Sequence, residues 1–252
     1  MLVLVTVIAL ATQVPLAVTL EADLHASNTS LGPSIYTVGL PEELAKALPI
    51  LVVALVYRVY QRRDLMPKDY LFLGAVSGLV FGASEVVHYF TVNGVAEFYQ
   101  TVQASIPSIE QLISTGHSTS TSLFAVLIGP VRYFILDFVW RFLTDPITHA
   151  CWSGLTGYFI GLAASGRHRW YTVAWIGLAA AAILHGLNDW SRVNGHPLWI
   201  IVALVSGILF LGYAKVGSRG DLYVPGPAAA AGSMPGAGPT PVGPVARPWW
   251  EH

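Results

Sequence analysis

YLFLGAVSGLVFGASEVVHYF, residues 70–90, decides the fold. From Leu71 to Ser84 the stretch carries no charge. At a rise of 1.5 Å per residue the whole run reaches roughly 31 Å as a helix, the thickness of a bilayer's hydrocarbon core. Gly74, Gly78 and Gly82 recur every fourth position and form a small-residue ladder of the kind that lets two membrane helices approach closely. Glu85 comes three residues after Gly82, so the stripe that packs the helix also carries a carboxylate into its interface.

Outward from this segment, similar runs cover about 2–20, 41–60, 146–165, 170–190 and 198–216. The composition agrees: 54% of the 252 residues are hydrophobic and 11% charged, and the mean hydropathy is +0.59. A soluble domain carries about 25% charged residues. The expected fold is therefore all-α, a polytopic transmembrane helix bundle of about six to seven spans at ~20 residues each. Residues 1–216 form the membrane domain. Residues 217–252, rich in Pro, Gly and Ala, read as a disordered C-terminal tail. The first run lacks a basic leader and continues past the length of a signal-peptide core, so it reads as an uncleaved span.

Other classes are set aside on the same counts. With 13 Lys and Arg and a net charge of -1, no basic surface serves nucleic acid. A single cysteine, Cys151, excludes both an intrachain disulfide and a thiolate metal site.

Basic residues cluster at Arg58–Lys68, Arg167–Arg169 and Lys215–Arg219, whereas 21–40 and 91–121 have none. The positive-inside rule makes the first three cytoplasmic and the last two outward. Segment 122–143 is apolar but holds Arg132, Asp137 and Arg141. A single crossing there would put Arg167–Arg169 outside, so the segment is expected to be re-entrant or to lie along the outer interface. This threading predicts a multi-pass cell-membrane protein with its polar centre toward the extracytoplasmic side and its tail in the cytoplasm.

Ionisable residues inside spans are costly and default to a functional reading. Here they are Glu42, Glu43 and Lys46, Glu85 and His88, His149, and His185 with Asp189. In this threading Glu43, Glu85, His149 and His185 lie within roughly 3–8 Å of the outer ends of their helices. His149 heads a ladder of Ser153, Gly157 and Gly161, and His185 follows Gly177 and Ala181. Two imidazoles and several carboxylates without a thiolate suit zinc with a position left for water. A carboxylate beyond the metal would then act as general base in peptide hydrolysis.

Blander explanations exist for some of these residues. Pro41-Glu42-Glu43 also matches a helix start, and His88 fits a side chain reaching for the interface. His185 and Asp189, four apart, fit a structural hydrogen bond. His25, His117, His168, His196 and His252 read as solvated.

In chain order the sequence contains Glu42-Glu43-Leu44-Ala45-Lys46, Phe81-Gly82-Ala83-Ser84-Glu85, His149-Ala150-Cys151-Trp152-Ser153-Gly154 and His185-Gly186-Leu187-Asn188-Asp189. These four motifs, over about 41–190, resemble those of the PrsW family of intramembrane metalloproteases. That family is similar to the CAAX prenyl proteases and the bacteriocin-processing membrane proteins. The resemblance implies a zinc-dependent membrane endopeptidase acting on a membrane-anchored protein, such as an anti-sigma factor. It implies Glu42 and Glu43 as the catalytic acidic pair and Glu85, His149 and His185 as metal ligands. Asp189 would be an additional ligand or a partner of His185, and the motifs leave open which acid is ligand and which is base. The alternatives are a carboxylate-bridged di-iron oxidase, suggested by Glu85-x-x-His88, and a non-enzymatic membrane protein that binds a metal or a partner.

Overall fold

A computed structural model describes residues 1–61, 65–114, 120–165 and 170–218. The expected tail beyond Ser218, and part of the basic connections on which the threading rests, lie outside the described residues. The described residues form seven helices and no strand: α1 Leu2–Asp23, α2 Leu40–Gln61, α3 Pro67–Tyr89, α4 Val95–Ser114, α5 Ser120–Ala164, α6 Trp170–Val193 and α7 Leu198–Ser218. Three stretches, Leu2–Asp23, Pro67–Val92 and Leu198–Gly217, are by length and composition able to cross a membrane.

The glycine ladder of α3 lies against α5. A Cβ on Gly74 would run into the Ser153 carbonyl oxygen, and one on Gly78 into the carbonyl oxygen of His149. These two positions therefore set how close the backbone bearing His149 comes to α3. Helix α1 buries Val5, Ala9, Gln13 and Ala17, one residue every four. Val5 joins Ile50, Val53, Tyr70 and Leu73, while Ala17 joins Ala45 and Phe81. Between these clusters Gln13 Nε2 donates to Ser77 Oγ at 2.6 Å, and Ser77 donates in turn to the Lys46 carbonyl at 2.6 Å. The buried amide thereby ties α1, α3 and α2 at the level of Lys46.

Helix α2 is preceded by one helical turn, Leu31–Pro33, and a π-helical stretch, Ser34–Gly39. Ser34 Oγ donates to the Gly186 carbonyl at 2.7 Å, which fastens α6 one residue after His185.

Two expectations about local structure change. The sequence gave a run beginning at Pro146, 146–165, apart from the segment 122–143; instead the two are one helix, α5, unbroken for 45 residues, about 68 Å. Pro146 removes one backbone donor, but side chains hold the chain helical around it. Thr144 Oγ1 donates to the Trp140 carbonyl at 3.0 Å, and Thr148 Oγ1 to the Asp145 carbonyl at 3.0 Å. From α6, Arg192 Nη1 grips Asp145 Oδ1 at 2.6 Å. The second change is α4, inside the 91–121 stretch that the sequence placed outward and for which it gave no helical run. Phe98 meets Phe134 with ring centroids 5.4 Å apart, and Phe90 meets Phe138 at 4.7 Å. These rings lay α4 and the end of α3 on the N-terminal half of α5.

Candidate metal centre

Helical spacing brings the ionisable residues together. Glu42 and Glu43 are four and three residues before Lys46, so all three share one face in the first turns of α2. Lys46 Nζ is 2.7 Å from Glu43 Oε1 and 3.4 Å from Glu42 Oε2. The same ammonium is 2.8 Å from His149 Nδ1 on α5 and 3.4 Å from His185 Nδ1 on α6. It also lies 4.4 Å from the centre of the Phe81 ring. Two adjacent buried carboxylates are tolerable here because a cation sits between them and the imidazoles.

His185 Nε2 faces Glu42 Oε2 and Asp189 Oδ2, each at 3.3 Å, while its Nδ1 is 3.2 Å from Glu43 Oε1. His149 Nε2 faces Glu85 Oε2 at 3.1 Å. Glu43, Lys46 and His185 are fully buried, and Glu42 and His149 nearly so. The Glu85 side chain is 40% exposed, which makes it the open edge of the cluster.

Glu42, His149 and His185 each offer a ligand atom, and the three atoms lie within 4.8 Å of one another. Geometry thus groups Glu42 with the two imidazoles and puts Glu85 at the outer edge of His149. The donor set fits a metal on a further observation: His185 Nε2 and Glu43 Oε2 are buried without a hydrogen-bond partner. Lone pairs sealed from water and left without a donor are what a cation satisfies.

The structure also shows which expected residues stand apart. His88 is exposed, so Glu85-x-x-His88 does not form the paired element of a di-iron site. His25 and His196 are exposed as well; His117, His168 and His252 lie outside the described residues. Two contributors were not picked out in the sequence. Trp152 stacks on His185 with ring centroids 4.6 Å apart and 17° between planes. Glu21 on α1 reaches the Glu42 side chain. Its signal was the four-residue stripe Val5, Ala9, Gln13, Ala17, whose next member is position 21.

Fold and site together define an all-helical membrane protein built around a buried carboxylate–imidazole donor set. A family model described as PrsW family intramembrane metalloprotease matches residues 1–214. The chain belongs to that family and is a membrane protease. No curated protein and no solved structure matches the chain.

Proposed function

We propose that the protein is an intramembrane metalloendopeptidase whose metal is held by Glu42, His149 and His185 and which cleaves a membrane-anchored protein near the outer leaflet. The observation that carries this reading is the clustering of one carboxylate and two imidazoles from three helices within 4.8 Å. Zinc is the metal that a ligand set of nitrogen and oxygen, with no thiolate, best suits. When bound, it would acidify a water and polarise the scissile carbonyl.

The remaining roles follow from burial and contact. Glu85, whose side chain is 40% exposed and whose Oε2 is turned inward to 3.1 Å from His149 Nε2, lies at the edge of the donor set, and we assign it as the base that takes the proton and returns it to the leaving amine. Glu43 and Lys46 form a fixed pair that holds the Glu42 face of α2 toward the imidazoles. Asp189, whose Oδ2 also lies 3.3 Å from His185 Nε2, is a further carboxylate beside the position the metal would take. An anti-sigma factor is the substrate the family resemblance suggests.

The test is metal content and cleavage in detergent-purified protein. Wild type is expected to hold about one zinc, with His149→Ala, His185→Ala and Glu42→Gln losing it. Glu85→Gln should keep the metal yet lose at least 100-fold in cleavage of a single-span substrate, the scale of a lost general base. Folded wild type without metal would overturn the assignment.

A further inference from the structure

Trp152 belongs to no part of the proposed chemistry, yet its ring touches both imidazoles. It is 1% exposed, and its face lies on His185 at 4.6 Å with 17° between planes. Its centroid is 5.0 Å from that of His149, three residues earlier on α5, with the rings at 63°. A ring fixed in this corner limits the rotation of His185 about its last torsion, a broad and soft degree of freedom for histidine. That torsion decides which nitrogen faces Glu43 and which faces Glu42.

The indole is itself held from outside the cluster. Its N–H, which can only donate, goes to Ser206 Oγ on α7 at 2.8 Å. Ser206 donates its own proton to the Val202 carbonyl at 2.7 Å, so its oxygen is turned to accept from the indole. Ser206 is buried. The chain Val202, Ser206, Trp152, His185 therefore runs from a helix with no ionisable residue at the centre into the centre itself.

We propose that Trp152, anchored by Ser206, is a positioning residue that fixes the orientation of His185 and thereby sets the metal affinity of the site. This rests on the metalloprotease reading for its affinity arm and stands apart from it in its spectroscopic arm. Partners that orient a ligating histidine are worth roughly 10–100-fold in metal affinity.

The experiment uses the full chain in detergent with histidine carbon-13 labelled, and zinc as the probe by chelator competition. Wild type should show one imidazole carbon-bound proton shifted upfield by the indole ring current, absent in His185→Ala. Trp152→Leu should abolish that shift and weaken zinc by about 10-fold or more. Trp152→Phe, which keeps a stacking ring, should retain the shift and restore most of the affinity. Ser206→Ala, which leaves the core volume almost unchanged, should move the shifted resonance and weaken zinc several-fold. It decides the matter if Trp152→Leu does not fold. A shifted resonance that survives Trp152→Leu or Ser206→Ala unmoved overturns the proposal, as does wild-type zinc affinity in both variants. Wild type that binds no zinc overturns the metal reading alone, and the imidazole spectra then decide the positioning role.

Discussion

Replacing Lys46 by Met removes the one lysine or arginine that contacts both Glu42 and Glu43 among the described residues, without changing the length of the buried stem. At an effective dielectric constant near 20, a unit pair at the 2.7 Å separation from Glu43 attracts by about 6 kcal/mol, and one at the 3.4 Å separation from Glu42 by about 5 kcal/mol. Desolvation offsets most of this gross attraction, and removing one partner of a buried pair costs about 3–5 kcal/mol net. Lys46→Met should therefore lose about 3–5 kcal/mol in denaturant unfolding of the detergent-solubilised protein, followed by circular dichroism. The double variant Lys46→Met with Glu43→Gln removes the nearer of the two stranded acids as well and should recover at least half of the loss. Saturating zinc should also help Lys46→Met, because a ligand at 100 times its Kd adds about 2.7 kcal/mol. If Lys46→Met unfolds within about 1 kcal/mol of wild type, the ammonium does not balance the acids, and the account of how the cluster is tolerated in the bilayer is wrong.

Three smaller perturbations probe the frame around the centre. Gly78→Leu, whose Cβ already meets the His149 carbonyl, should sharply lower folded yield, whereas Gly207→Ala, with open space around it, should not; size-exclusion recovery reads both. Ser77→Ala takes the acceptor from buried Gln13 and should cost about 1–3 kcal/mol in the same unfolding assay, with Gln13→Leu added on top returning part of it. Arg192→Gln breaks the 2.6 Å grip on Asp145, a buried carboxylate, and the loss should be about 1–3 kcal/mol. Because the pair is largely shielded from solvent, that loss should change little in high salt.

Membrane class and close packing were readable because each rests on a short-range pattern. The Gly74–Gly78 interval implies a helix backbone at contact distance, and the structure supplies α5 with Ser153 and His149 at those positions. Most of the candidate site was readable for a related reason: an ionisable residue in an apolar run has few explanations. Its division of roles was not. Glu42 and Glu85 carry the same group, and only the folded arrangement shows that one faces both imidazoles while the other keeps 40% of its side chain exposed. Glu21 stayed hidden because it lies at the end of α1, where a carboxylate looks like an ordinary helix terminus. Trp152 looked like one more aromatic in an apolar span, since stacking needs a partner on another helix.

The error at Pro146 is the most instructive, because the local rule was sound and lost to its surroundings. Asp145-Pro146 is a good helix start when the preceding residue is free to leave the helix. Here Asp145 is held by Arg192 from α6, and Thr144 and Thr148, on either side of the proline, return hydrogen bonds to the Trp140 and Asp145 carbonyls before it. With both flanks tied, continuing the helix costs one missing hydrogen bond. Breaking it would expose several backbone groups in a place where water is scarce. The consequence reaches the centre: His149 sits four residues past Asp145 on the same unbroken helix, so the Arg192 grip that keeps α5 continuous also fixes the turn on which that imidazole stands. Arg192 lies three residues past Asp189 and seven past His185 on α6. One ion pair outside every motif thus ties the two histidine-bearing helices together beside the centre.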